Sequence, residues 1–282
     1  LAIEAKLSWV ETTNLPNAEA DYITTTAQVP IYDTTTPNAW KSTGQSKTAT
    51  LALVGVHIVG STQGHPEMIW STFEHVRNSP NGEYQYVNSS DQVVTVTNGP
   101  WLFSKTGPFN VMHASYDSQS ATINSAHGYS ISPSDTQRVY AFGVAPTGVP
   151  NQEDKTPADA NTEIISVNNS VQAALAAGDI RKNYYFVGST WTFGGWAPTG
   201  AYSPTGDPNG AEIGTNMLAN STMETYVQAT NGSSGTNCFS CHRVGSNTPP
   251  KTPATTGISH IFNALKPLPT TLPSAGPQTQ SP

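Results

Sequence analysis

The most strongly apolar segment of the chain is Thr50-Leu-Ala-Leu-Val-Gly-Val-His-Ile-Val-Gly60. Its nearly continuous apolar character and its length, closed by Gly60, predict a buried β-strand, although the pattern alone is also compatible with a buried helix. Immediately downstream, Gly64 to Arg77 predicts a helix, with Pro66 in the first turn, Glu67 near the amino end and Arg77 at the carboxyl end. The sequence therefore predicts a strand at 50–60 followed directly by a helix at 64–77.

The rest of the chain gives weaker signals of both kinds. Residues 1–49 are rich in Thr and predict an irregular arm or a few short strands. Further segments are predicted as strands at 84–87, 92–97, 138–143 and 183–193, and as helices at 162–177 and 217–228. We therefore expect an α+β fold, a single loop-rich domain over residues 1–266 with short strands and about three helices. Residues 267–282 form a tail of Pro, Thr, Ser and Gln without a hydrophobic period.

The composition indicates an exported protein. Only 11% of the residues are charged, against roughly 25% in a typical soluble domain, and Lys+Arg 12 against Asp+Glu 19 gives a net charge of -7. A chain this acidic lacks the basic footprint of a nucleic-acid-binding protein. No apolar run approaches the ~18 residues of a membrane span. The sequence opens at Leu1 without Met, so we expect a signal peptide to have been removed and the protein to be periplasmic or extracellular.

The two cysteines lie in one short segment, Asn237-Cys-Phe-Ser-Cys-His-Arg243. Cys-x-x-Cys-His is the attachment signature of haem c. Two thiols at this spacing reach the two vinyl groups of the porphyrin, and the next residue supplies the imidazole beneath the iron. The motif predicts one covalent haem c near the C-terminus, held by Cys238 and Cys241, with His242 as the proximal iron ligand.

Two other uses of the cysteine pair compete with haem attachment. A redox-active Cys-x-x-Cys normally lies beside a βαβ pattern, whereas loop-forming residues flank this one. A zinc site would need more ligands; His65-Pro-Glu67 together with the cysteines superficially matches the nucleobase-deaminase signature, but Asn237 stands where that signature has Pro. Haem attachment remains the favoured interpretation.

The sixth iron ligand is less clearly marked. His75 ranks first because residues 65, 68, 72 and 75 would share one face of the predicted helix. His57 ranks second, because it lies within the apolar run and must find a polar or metal partner when buried. His260 ranks third because it follows the motif closely, and Met68 is the best sulfur alternative.

Several segments together resemble a known group of proteins. Leu53-Val-Gly-Val-His-Ile-Val59, Trp70-Ser-Thr-Phe-Glu-His-Val76 and Asn78-Ser-Pro80 are similar to uncharacterised exported c-type cytochrome proteins of Gram-negative bacteria, which carry a single Cys-x-x-Cys-His motif. The similar blocks cover about a quarter of the chain. The resemblance implies an exported haem protein and assigns no activity.

Three functions are compatible with these features. The favoured one is a monohaem c-type cytochrome that carries single electrons between periplasmic or extracellular partners, docking its acidic surface on a basic patch of a redox partner protein. The alternative is a haem c enzyme of the peroxidase or oxygenase type with an open distal position, because a carrier needs less protein than this chain provides. In a third, the haem only stabilises a binding or assembly protein.

Overall fold

The fold is mainly β, which corrects the α+β expectation. In the computed structural model, 43% of the described residues are in strands and 17% are in helices. The structure describes residues 2–15, 17–97, 110–144, 156–200, 202–203, 208–215, 217–225, 228 and 238–242. An eight-stranded antiparallel sheet dominates this part of the chain, and a two-stranded hairpin accompanies it. The tail at 267–282 lies outside the described residues.

Within the described residues, ten strands and three α-helices follow one another. The strands are β1 Ile3–Glu11, β2 Thr24–Asp33, β3 Ala39–Thr62, β4 His65–His75, β5 Tyr84–Val87, β6 Val93–Val96, β7 Ala114–Asp117, β8 Thr122–Ser125, β9 Tyr184–Thr192 and β10 Glu212–Gly214. The α-helices are α1 Ala18–Asp21, α2 Pro157–Ala174 and α3 Cys238–Cys241, with short 3-10 helices at Thr12–Asn14, Ile180–Asn183 and Phe193–Gly195.

The central strand of the large sheet is β3, which is 24 residues long. Its residues Leu51 and Ala52 pair with both β1 and β2, so these two strands lie on opposite edges of β3. Strand β4 pairs with the last third of β3, and the sheet continues from β4 through β9 to β10. The apolar run at 50–60 is therefore a buried strand, as predicted, within a longer element.

The predicted helix at Gly64 to Arg77 is wrong, because this segment is strand β4. It pairs with β3 on one side and β9 on the other. Side chains alternate along it, so that Trp70, Thr72 and Glu74 point to one face of the sheet and Ser71 and Phe73 to the other. We call the first of these the motif face.

Some of the other predicted elements are confirmed and some are wrong. Strands β5, β6 and β9 and helix α2 match the segments predicted for them within a few residues. The predicted strand at 138–143 is wrong, since these residues form turns and one β-bridge from Asn81 to Arg138. The predicted helix at 217–228 is also wrong, because its described residues are irregular.

Helix α2 packs at the edge of β9 and is well specified locally. Thr156 caps its amino end in a reciprocal capping box with Asp159. The Asn168 amide donates to the Phe186 carbonyl at 2.8 Å and accepts from the Phe186 N–H at 2.7 Å, which completes the hydrogen bonding of the β9 edge. Among the described helices, none is both long and apolar enough to cross a membrane.

Candidate functional site

The Cys-x-x-Cys-His segment forms a single helical turn on the motif face of the sheet. The backbone N–H of His242 donates to the carbonyl of Cys238 at 3.0 Å, the bond that closes one α-helical turn. In a helix, residues three and four apart share a face. Positions 238, 241 and 242 therefore lie on one side of the turn.

Phe239 fixes this turn to the sheet. It is completely buried and packs against Val59 of β3 and Trp70 of β4. Its ring meets that of Trp70 edge to face, with centroids 5.7 Å apart and an interplanar angle of 80°. Cys238 and Met68 pack against the same three residues. We call these five residues, Val59, Met68, Trp70, Cys238 and Phe239, the motif cluster.

Trp70 also touches the predicted proximal ligand. The ring centroids of Trp70 and His242 are 4.6 Å apart, at an interplanar angle of 48°. The Trp70 Nε1–H is buried and has no hydrogen-bond partner among the described residues. An orphaned buried donor next to His242 fits a haem, because the propionates of that group are strong acceptors. On this test the residues around the motif fit the cofactor.

A fully buried carboxyl group, that of Glu212, lies in the sheet beside the motif cluster. Thr190 of β9 pairs with Trp70, and its hydroxyl donates to Glu212 Oε1 at 2.9 Å. Burial raises the pKa of Glu212 well above its usual value, and the Thr190 hydrogen bond opposes this only in part. This shift favours the neutral form of the Glu212 carboxyl group over the charged one.

The segment 217–225 lies on the motif face and is held there by buried polar contacts. The Glu74 carboxylate accepts from the Ser221 N–H at 2.7 Å and from the Ser221 hydroxyl at 2.6 Å. Arg138 forms an ion pair with Glu74 and donates to the Ala219 carbonyl at 3.2 Å. This segment precedes the motif in the chain, so the same face of the sheet supports both.

A second contact on this segment uses the predicted ligand His57. Its Nδ1 lies 2.8 Å from the Thr72 hydroxyl and its Nε2 lies 2.9 Å from Glu224 Oε2. Lys6 donates to the other oxygen of Glu224 at 2.7 Å. Burial alone would raise the pKa of Glu224, but the bonds and charges of His57 and Lys6 outweigh it and lower that pKa to about 2. Both ring nitrogens of His57 are thus engaged.

The highest-ranked ligand candidate, His75, lies away from the motif. It follows Trp70 by five residues, roughly 16 Å along the strand, and points to the opposite face. Its ring stacks on Tyr22 at 3.8 Å, its Nε2 donates to the Asp21 carbonyl at 3.0 Å and its Nδ1 accepts from the Arg77 N–H at 3.2 Å. The structure brings neither ring nitrogen of His75 to the motif.

Of the remaining candidates, His260 lies outside the described residues and Met68 lies in the motif cluster. Within the described ranges no group of three or more His, Cys, Asp or Glu side chains is placed to hold a metal ion. A haem iron takes four of its ligands from the porphyrin, so one or two protein ligands are enough.

Sequence reasoning missed the supporting role of Trp70 and Phe239. Phe239 stands inside the Cys-x-x-Cys spacing, where an apolar residue within a polar segment could have marked the attachment point to the core. Trp70 was assigned to a helix, so its position opposite the motif had no signal in the sequence.

Compared with known proteins, the chain matches no family model, no curated protein and no solved structure.

Proposed function

We propose that this protein is an exported c-type cytochrome that carries single electrons on one covalently attached haem. The observation that supports it is the helical turn from Cys238 to His242, fixed by the buried Phe239 and bordered by the orphaned N–H of Trp70. The haem supplies the one-electron chemistry, and the chain attaches, orients and shields it.

Attachment uses the two thiols of the motif. Cys238 and Cys241 would hold the haem through two thioethers, each formed by adding S–H across one vinyl group, so that no oxidant would be needed. Cys238 is partly buried against the motif cluster, so a thioether there would be rigidly positioned. His242 is also partly buried, and Trp70 limits the rotation of its ring.

For the sixth ligand we propose Met68 in place of the histidines. Its side chain packs in the motif cluster with Cys238, whereas the ring nitrogens of His57 and His75 are used elsewhere. Met68 also has a φ of 75°. A residue with a side chain pays about 1–3 kcal/mol for such a conformation, and strained residues are concentrated at ligand-binding positions. His/Met ligation gives a higher reduction potential than bis-His ligation.

The surface charge indicates the kind of redox partner. A net charge of -7 favours docking on a partner with a basic patch, with an association rate that falls as salt is added. The low content of charged residues and the haem c motif both support a periplasmic or extracellular location.

The test is production of the protein with a c-type maturation system, followed by a haem stain of the denatured chain. We expect the stain to migrate with the polypeptide in the wild type and to be lost when Cys238 and Cys241 are both replaced with Ser. The oxidised wild type should show a low-spin spectrum with the weak far-red band of sulfur–iron ligation.

Ligand identity is tested by Met68→Leu with Met223→Leu as its matched control. Met68→Leu should abolish the far-red band, and Met223→Leu should retain it. A haem that separates from the denatured chain would overturn the proposal. A five-coordinate high-spin wild type would instead favour the haem enzyme with an open distal position.

A further inference from the structure

A second candidate site lies between the β5–β6 hairpin, α2 and β9. It is an open cavity of about 400 Å³, within the ~300–1,000 Å³ range of small-molecule pockets. None of its lining residues belongs to the motif cluster. Those that define its chemistry are Asn81, Tyr84, Tyr86, Phe142, Asn168 and Tyr185.

Aromatic rings form the walls of this cavity. Tyr84 meets Phe142 edge to face at 5.3 Å, and Phe142 meets Tyr185 in the same way at 6.1 Å. These contacts hold the three rings in place, and the packing of Phe142 against Ile164 joins them to α2. Tyr86 lies two residues from Tyr84 on the same face of the hairpin and remains partly exposed. The cavity therefore offers preformed aromatic surfaces.

One buried acceptor in the cavity lining is unused. Asn81 is only 8% exposed, and within the described part of the chain its Oδ1 has no hydrogen-bond partner. Its backbone is fixed by the β-bridge to Arg138, next to which the Gly82 N–H donates to the Arg138 carbonyl at 2.6 Å. A buried polar atom without a partner is costly, and a ligand that donates to it recovers that cost.

The ligand should be uncharged. None of the described side chains lining the cavity carries a charge. Asn168 offers a ligand neither a donor nor an acceptor, because its side-chain amide already bonds the Phe186 backbone. The cavity thus combines apolar ring faces with a hydrogen-bond acceptor and amide groups.

We propose that this cavity binds a neutral saccharide. A sugar ring has an apolar C–H face that stacks on Tyr and Phe, and its hydroxyl groups donate to an acceptor such as Asn81 Oδ1. A purely apolar aromatic ligand could stack on the ring faces, but it would leave Asn81 Oδ1 without a hydrogen-bond donor. This site uses no haem, so the inference is independent of the proposed electron-carrier function. An exported protein with such a site would be retained at a neutral glycan surface.

Binding is tested on the full chain with neutral oligosaccharides of glucose and of N-acetylglucosamine as probes. Saturation-transfer NMR identifies the bound probe, and titration calorimetry gives its dissociation constant. We expect at least one neutral probe to bind, and an oligogalacturonate, which is charged, to bind much more weakly. 1,4-Dimethoxybenzene, which has no hydrogen-bond donor, serves as the neutral aromatic comparison.

Two variants address the site directly. Tyr86→Ala should weaken binding at least about tenfold, which corresponds to the loss of one stacking surface. Asn81→Ala should weaken it similarly and leave folding intact, because Oδ1 stabilises nothing in the fold. Tyr116→Ala is the matched control, since Tyr116 is 60% exposed on β7 and should bind as the wild type does. The proposal is overturned if no neutral oligosaccharide binds at millimolar concentration, if Tyr86→Ala has no effect, or if 1,4-dimethoxybenzene alone binds.

Discussion

Arg138 and Glu74 form an ion pair in which each side chain is only 1% exposed. Glu74 also accepts two hydrogen bonds from Ser221, so the pair joins β4 to the segment 217–225. Replacing Glu74 with Gln leaves the guanidinium buried without its counter-charge. We expect this to reduce the free energy of unfolding by about 3–5 kcal/mol, measured by urea denaturation. Glu11→Gln, which breaks the exposed pair with Lys47, should cost at most about 1 kcal/mol. Equal losses in the two variants would contradict this role.

Gly55 of β3 lies directly against the segment 217–225. A Cβ there would lie 2.5 Å from Thr222 Oγ1 and 2.7 Å from Asn220 Oδ1. Gly55→Ala should therefore destabilise the protein by about 1–3 kcal/mol, seen as a lower thermal midpoint. Gly60→Ala in the same strand is the matched control, because its nearest atoms are 3.9 Å away. A similar midpoint for the two variants would show that the segment does not rest on Gly55.

Strand β4 shows why the sequence pattern predicts a helix at Gly64 to Arg77 where the fold has a strand. Its buried face contains Thr72 and Glu74, whose polar character hides the alternation of apolar residues that identifies a strand. These side chains are buried because their partners come from distant positions: Thr72 donates to the Leu218 carbonyl and Glu74 pairs with Arg138. No local pattern contains that information. The apolar run at 50–60 and helix α2 were predicted because their own residues specify them.

The segment 217–225 illustrates the same limit for helices. Its residues have acceptable helical spacing, but side chains compete for the backbone: the Asn220 N–H donates to Glu224 Oε2, and the Thr222 N–H donates to Asn220 Oδ1. These side-chain hydrogen bonds take the place of the backbone bonds that a helix would need, and the segment packs on the sheet instead. In the candidate site, the spacing of the Cys-x-x-Cys-His motif could be recognised from sequence. The neighbours of His242 depend on the pairing of β4 with β3 and could not.

His75 is expected to act as a structural, neutral imidazole and not as an iron ligand. Burial lowers its pKa to about 4, and the hydrogen bond to the Asp21 carbonyl opposes that shift only in part. Since its folded-state pKa is below the unfolded value of 6.5, its contribution to stability is complete above about pH 6.5 and is lost as the pH falls toward 4.

The variant His75→Phe keeps a ring on Tyr22 and removes the titrating group. Stability measured across pH 7 to pH 4 should fall by on the order of 3 kcal/mol more in the wild type than in the variant. The spectrum of the haem-loaded variant should match that of the wild type. A shift to high spin in His75→Phe would show that this residue ligates the iron after all.

Trp70 offers the sharpest test of how the protein would treat a bound haem. Its indole ring packs against Phe239 and His242, while its buried N–H has no partner among the described residues. Trp70→Phe retains an aromatic ring and removes the N–H donor together with part of the buried indole ring. If the N–H donates to a haem propionate, its loss leaves the negative charge less well compensated and favours the oxidised state. The reduction potential should then fall by on the order of 50 mV, equivalent to about 1 kcal/mol for a one-electron couple.

Trp196→Phe, at a residue that is 62% exposed, controls for the loss of an indole and should leave the potential unchanged. Potentiometric titration measures the reduction potential of both variants. An unchanged potential in Trp70→Phe would show that the indole N–H does not donate to the haem.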